Sequence, residues 1–377
     1  MNLKANPAIA DGAAARSRFE SAYRVLTDAI AARAFPGCAF GVFAGGEVVL
    51  EDALGRFTYE PGSPAVTAGT VYDIASLTKV VATTAITMAL EQRGQLDVET
   101  PLGTVLPEFL AGRAANDLAR RVTLRHLLAH SSGLPGYVQF FRTATTAEAL
   151  MEACLKLPLE AEPGARAEYS DPGFILLGKA LETLAGEKLD DWVRREIFGQ
   201  LGMTETQFCP DGGQVREMIP PTEEDRTFRH RRIQGEVQDE NAYVLGGVAG
   251  NAGLFSTVAD LLRFTEEILS AGTGDAPEMK GGRLFEEKTV ERFARRQGPA
   301  GSSCALGWDT PSEHSSAGRH FSSHSIGHLG YSGCSFWIDL DARVAIVLLT
   351  NRTWPDRKSQ LIKTVRPAFH DAVREAL

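Results

Sequence analysis

Asp73-Ile74-Ala75-Ser76-Leu77-Thr78-Lys79 is the stretch from which the rest of the chain is read. A serine hydroxyl is a poor nucleophile until a neighbouring base takes its proton. On a helix, residues three apart share a face. A helix over Ser76–Arg93, closed by Gly94 in the C-cap position, therefore lets Lys79 reach the Ser76 hydroxyl. With Ser76 at the helix start, the positive end of the dipole favours a developing oxyanion and disfavours a proton on Lys79. Burial lowers the lysine pKa further. The pattern is short: a chain of this length holds about one Ser-x-x-Lys by chance. Taken alone, it fits a capping serine beside a surface lysine better than a catalytic pair.

Outward from that stretch, Arg16–Arg33 carries Phe19, Tyr23, Leu26 and Ile30 at helical spacing, and Cys38–Phe43 with Glu47–Glu51 form a hairpin about Gly45-Gly46. Residues 95–290 read mostly as helices and long loops. Leu124–His130, Phe174–Leu184, Trp192–Phe198 and Val258–Leu269 are the clearer helical stretches. Strands return at Ser335–Ile338 and Val344–Thr350 about a turn at Asp339–Ala342, and Pro355–Leu377 closes as a helix. Strands at both ends with helices between predict an α+β fold. Its mainly antiparallel sheet domain is assembled from residues 1–75 and 291–377. Residues 76–290 make a mainly helical domain, with the site in the cleft between the two.

The 377 residues are enough for two or three domain-sized units, and 44% hydrophobic with 23% charged residues is an ordinary globular composition. A net charge of -9, with the densest basic cluster at Arg229–Arg232 followed at once by Glu236, Asp239 and Glu240, speaks against a nucleic-acid partner. Five scattered cysteines without a Cys-x-x-Cys pair speak against a disulfide framework or a thiolate zinc site. Met1–Arg16 has no apolar h-region, and no apolar run reaches the roughly 18 residues of a membrane span. The expectation is a cytoplasmic protein without a membrane partner.

Two further segments bear on Ser76. Tyr169-Ser170-Asp171 follows a Pro163-Gly164 turn and precedes an apolar helix, which places Tyr169 in a loop able to enter a cleft. His328-Leu329-Gly330 precedes the Ser335–Ile338 strand, and Gly330 allows close backbone approach to a ligand. His314, His320, His324 and His328 crowd one stretch, but their spacing matches no helical zinc motif, so no metal or other cofactor is expected. His126 and His130, four apart on the predicted helix, read as packed or capping residues. Asp73 reads as a cap or turn residue, and the Gly-x-Ser-x-Gly elbow is absent.

The order Ser-x-x-Lys, Tyr-x-Asp, His-x-Gly resembles the serine β-lactamase and penicillin-binding-protein superfamily, in its class C β-lactamase-like branch. That branch includes family VIII carboxylesterases, D-Ala-D-Ala carboxypeptidases and muropeptide amidases. The likeness covers nearly the whole chain. It includes Phe35-Pro36-Gly37, the run from Val122 to Leu134, Ala252 to Thr257, Trp337-Ile338-Asp339 and Leu349 to Arg352. The resemblance implies that Ser76 is acylated, that Lys79 and a tyrosinate-like Tyr169 share the proton transfers, and that the N–H groups of Ser76 and Tyr331 form the oxyanion hole. Asp171, His328 and Gly330 would contact substrate.

Two departures matter. The tyrosine motif commonly ends in Asn but here ends in Asp171, which would hold Lys79 protonated. The third motif commonly starts with Lys but here starts with His328, which leaves no permanent cation for a substrate carboxylate. This favours carboxylic esters with small or medium acyl chains, with weak β-lactam hydrolysis. The segments Gly235–Ala242 and Leu245–Gly253 favour the alternative, amide hydrolysis on muropeptides or D-amino-acid peptides. The relatives sharing this loop often carry His where Gln238 and Asn251 stand here, and its glycines also suit a plain tight turn. A catalytically inactive binding module of the same fold is the rival from another class.

Overall fold

Two apolar runs set the centre of the molecule. GCAFGVFA at Gly37–Ala44 and VAIVLLT at Val344–Thr350 are buried at every position, as strands covered on both faces must be. The computed structural model describes residues 12–210, 216–271 and 283–377. Most of Met1–Arg16, the segment expected to lack a leader, therefore lies outside the described residues. Strands β1 (Gly37–Ala44), β2 (Glu47–Gly55), β3 (Ser325–Leu329), β4 (Ser335–Asp339) and β5 (Val344–Thr350) form one sheet in the order β2-β1-β5-β4-β3. Every neighbouring pair is antiparallel. Both expected hairpins form. Gly45 and Gly46, at φ +63° and +86°, supply the two left-handed residues that a tight turn between right-twisted strands requires.

Alternation along β1 sorts its side chains. Phe40 and Val42 join Trp337, Ile346, Phe369 and Val373 under two packed helices, α1 (Glu20–Ala31) and α4 (Ile362–Ala376). Ala39 and Phe43 face the larger core with Val347 and Phe336. Helix α3 (Val258–Ser270) packs there so closely that a Cβ at Gly41 would lie 2.5 Å from Val258 Cγ1. Helix α2 (Asp171–Ala185) runs through the helical half, and Tyr72–Asp73 pairs with Leu254–Ser256 beside the site. Among the described residues no helix is long and apolar enough to cross a membrane.

Three element expectations need correction. Ser76–Arg93 is not one α-helix. A 3₁₀ turn at Ala75–Leu77 leads into a π-helix at Lys79–Thr84 and only then an α-helix at Ala85–Gln92. The Thr78 hydroxyl donates to Ala75 O at 2.6 Å, and Ala75 itself sits at φ +48°, so regular winding cannot start at the serine. The N-terminal helix breaks at Phe19 into Gly12–Arg18 and α1. The last helix starts at Ile362 rather than Pro355, because the Arg352 guanidinium takes the Ser359 carbonyl at 3.2 Å. His328 does precede the Ser335–Asp339 strand, and it also lies within a strand of its own, β3, at the sheet edge.

Candidate active site

The turn at Ser76 is held by a buried carboxylate. Asp73 Oδ1 accepts the Ala75 N–H at 2.8 Å and Oδ2 accepts the Gln238 N–H at 2.7 Å, joining the serine turn to the 235–240 loop. Burial pushes Asp73 up to about 6, against the pull of those two N–H groups. Asp73 is thus the turn residue expected. Ala75 in the left-handed region is a strained non-glycine, a state that persists only where its surroundings enforce it.

Lys79 is fully buried and spends all three ammonium donors: on Ser76 Oγ at 3.2 Å, Asp171 Oδ1 at 2.6 Å and Asn251 O at 3.0 Å. Burial works against its charge. The charges of Asp171 and then Tyr169 outweigh burial and raise its pKa above the ordinary 10.5. The expected lowering of Lys79 is therefore overturned, and the expected hold of Asp171 on a protonated lysine is what the geometry provides.

Tyr169 immediately precedes α2, whose N-cap is Ser170: Ser170 Oγ accepts the Gly173 N–H at 3.1 Å and donates to Pro135 O at 2.7 Å. His130 grips the tyrosine from both sides. Its carbonyl accepts the Glu168 N–H at 2.8 Å, its Nδ1 accepts the Ser170 N–H at 3.0 Å, and its ring lies 4.5 Å from the Tyr169 ring. Accepting at Nδ1 requires the neutral Nε2–H tautomer. Burial, then the Lys79 charge, depresses His130 well below 6.5 and keeps it neutral. The Lys79 ammonium stands 4.8 Å from the Tyr169 ring centroid. Although 44% of the Tyr169 surface is exposed, desolvation of its phenol oxygen raises Tyr169 above 10.0, with Lys79 pulling the other way. The resting side chain is the neutral phenol, not the tyrosinate-like form expected.

Two lobes of about 620 and 580 Å³ meet at Ser76, Tyr169 and Tyr331, which line both. His328 lines the first lobe. Its Nδ1 sits 3.0 Å from Leu329 O, an atom that can only accept, so Nδ1 carries the proton and Nε2 is left as an acceptor. Burial, then Lys79, pushes His328 down to about 3, so it is neutral at pH 7 as expected. The same lobe also contains Arg352, Lys363 and Arg366, so the expectation of a cleft without a permanent cation does not hold. Gly330 lines this lobe too, but a Cβ there would fall 2.5 Å from Ile74 O. Its bareness is required by the strand entering Ser76 rather than by a ligand. The second lobe contains Asp171, Asp239 and Glu240. Burial and the Asp171 charge push Asp239 up to about 6.

The loop with the unusual Gln238 and Asn251 forms the floor. Gln238 Nε2 donates to Glu223 Oε2 at 3.3 Å and its Oε1 accepts from Thr353 at 3.2 Å. The carbonyls of Gly250 and Asn251 accept from Thr83 at 2.7 Å and Lys79 at 3.0 Å. His126 caps its helix through Thr123. His320 and His324 pair with separate carboxylates, Glu375 and Asp341. Sequence reasoning missed the His130 grip, the Asn251 carbonyl and the arginines. The first had a signal in position, seven residues after the helix N-cap Thr123; the others act on or through backbone carbonyls, which no spacing announces.

The sequence family described as Beta-lactamase matches residues 23–366. N-acetylmuramyl-L-alanine amidase of Bacillus subtilis (strain 168) is 30% identical over 352 residues, spanning 85% of this chain and 78% of that one. EstCE1, a hydrolase with promiscuous acyltransferase activity, superposes with a TM-score of 0.73 at 21% identity, covering 95% of this chain and 100% of that one. A penicillin-binding protein homologue from Caulobacter crescentus gives a TM-score of 0.74 at 17% identity, over 96% and 98% of the two chains. These two likenesses show the fold.

Proposed function

The chain belongs to the beta-lactamase family of serine hydrolases, and from that premise we propose that it hydrolyses small amides and esters through an acyl-enzyme on Ser76. The observation that carries this reading is the Lys79 ammonium, 3.2 Å from Ser76 Oγ and fixed by Asp171. From the ionised form of Tyr169, reached when the resting phenol gives its proton to solvent, the phenolate takes the Ser76 proton as the Ser76 oxygen attacks the substrate carbonyl. The carbonyl oxygen, now an oxyanion, is met by the N–H groups of Ser76 and Tyr331. Collapse expels the leaving group, which takes the proton from Tyr169. Water then repeats the sequence on the acyl-enzyme. Lys79, as a fixed cation, favours the phenolate form that each proton abstraction needs.

Within this class, amides of muropeptide or D-amino-acid peptides are the first reading, supported by the relative named an amidase, which aligns over most of both chains. The neutral, acceptor-bearing His328 supports the second, a family VIII-type carboxylesterase on small or medium acyl esters. An active site that is acylated by amides is also acylated by activated esters, so ester turnover alone does not separate the two. Purified protein given muramyl peptides, p-nitrophenyl esters and nitrocefin separates them by kcat/KM. A fluorophosphonate probe should label Ser76 alone, as read by peptide mass, and Ser76→Ala should lose turnover by ~10⁴-fold or more. A labelled residue elsewhere, or an active Ser76→Ala protein, rejects the acyl-enzyme.

A further inference from the structure

Behind the oxyanion hole stands a buried guanidinium with no carboxylate. Arg366, on α4, is 6% exposed, and it forms no ion pair among the described residues. Its Nη2 donates to Gly330 O at 2.7 Å and Cys334 O at 2.7 Å, and its Nε donates to Gly333 O at 3.2 Å. These carbonyls belong to one turn, closed by Gly330 N–H to Cys334 O at 2.7 Å and Gly333 N–H to Gly330 O at 3.0 Å. From the other side, Ser332 Oγ donates to Asp73 O at 2.8 Å, which docks the turn on the strand entering Ser76. Gly330 O and Tyr331 N belong to the same peptide unit.

We propose that Arg366 is a positioning residue for the oxyanion hole: it holds and polarises the Gly330–Tyr331 peptide whose N–H meets the reacting carbonyl oxygen. The proposal rests on the acyl-enzyme reading above. A charged donor on a peptide oxygen strengthens hydrogen bonding at the same peptide's N–H, by about 10–30% per bond in a chain of such bonds. The uncompensated charge also favours an anion forming on the far side of that peptide. A buried guanidinium without a counter-ion is costly, and an apolar side chain would fill the same volume more cheaply. Burial lowers Arg366 to about 10, so it stays protonated at neutral pH. Arg352 supports the next residue, donating from Nε to Tyr331 O at 2.8 Å.

Arg366 also lines the first lobe, so direct contact with a substrate anion is the competing role. The test uses a neutral p-nitrophenyl ester and its thiono analogue, whose C=S accepts hydrogen bonds poorly, with wild type, Arg366→Lys and Arg366→Met. Arg366→Met should lose about 10–100-fold in kcat on the oxygen ester, in the range of outer-shell substitutions, with KM within about threefold. Its loss on the thiono ester should be much smaller, so the oxygen-to-sulfur rate ratio collapses. Arg366→Lys, which keeps the charge with fewer donors, should fall between. Equal losses on both esters, or a change in KM alone, overturn the proposal. If Arg366→Met does not fold, the ratio in Arg366→Lys decides: unchanged beside a reduced rate, it overturns the proposal. An active Ser76→Ala protein removes the acyl-enzyme reading itself. A Ser76-dependent enzyme with an unmoved ratio removes only this inference.

Discussion

Lys79 Nζ stands 2.6 Å from Asp171 Oδ1, and the lysine is wholly buried while the carboxylate keeps 17% of its side-chain surface exposed. Asp171 therefore acts twice: it fixes the lysine's charge and, by its own charge, adds to the rise of the Tyr169 phenol.

Asp171→Asn removes both effects. Tyr169 should then ionise more readily, and the rising limb of kcat/KM with pH should move to lower pH, by about one unit for each 1.4 kcal/mol of lost interaction. The fold should weaken by about 3 kcal/mol, because the buried ammonium loses its counter-charge. Since the folded lysine is raised above its ordinary 10.5, the pair's contribution is fully present below that pH. The stability loss in urea melts should therefore be equal at pH 6 and pH 9. A limb that stays put or moves to higher pH contradicts the assignment.

Tyr169→Phe keeps the ring that packs 4.5 Å from His130 and 5.9 Å from His328, and deletes only the oxygen. Stability and KM should be nearly unchanged while kcat falls ~10²–10⁴-fold. A variant retaining more than about a third of wild-type kcat rules out Tyr169 as the proton carrier.

The sheet was legible because alternation and apolar density leave few options: β1 and β5 are buried at every residue, and two glycines make the turn from β1 to β2. The Ser76, Lys79 and Tyr169 constellation was legible because reactive residue types stood at fixed spacings. The conformation at Ser76 was not. Helical periodicity cannot distinguish a 3₁₀ turn followed by a π-helix from a regular helix, and the strain at Ala75 arises from Asp73 and Thr78 contacts. The ionisation of Lys79 was legible only in part, since burial and the hold of Asp171 point in opposite directions. Burial was foreseen and lowers it, but the sum depends on a 2.6 Å contact across 92 residues of sequence. Nor does any spacing place Arg366 behind Gly330, because the contact is to a backbone carbonyl.

His130→Phe tests the grip on the tyrosine loop. The ring stack survives, but the buried Ser170 N–H loses its acceptor at 3.0 Å, which should cost about 1–3 kcal/mol. If that bond sets the position of Tyr169, kcat should fall about tenfold or more with KM little changed, because a misplaced reacting group costs chiefly in the transition state. A loss of stability with full kcat would leave His130 a packing residue only.

His328 fixes the last expectation, the pH dependence of substrate choice. Its folded pKa is pushed down to about 3 by burial and by Lys79, below the 6.5 of the free side chain. The stability it gives is therefore present above 6.5 and is lost as pH falls toward 3. Over pH 5 to 9 the imidazole stays neutral, with Nε2 an acceptor toward the cleft and Nδ1 bound to Leu329 O. A carboxylate-bearing β-lactam gains nothing from it at any pH in that range. The ratio of β-lactam KM to neutral-ester KM should thus be flat between pH 5.5 and 8, with any common change attributable to other groups. A β-lactam KM that drops selectively as pH falls through about 6.5 would mean that His328 charges in the complex. The same titration in His328→Gln, which cannot charge, identifies the source. A selective drop that survives the substitution belongs to another group, and one that vanishes overturns the neutral assignment.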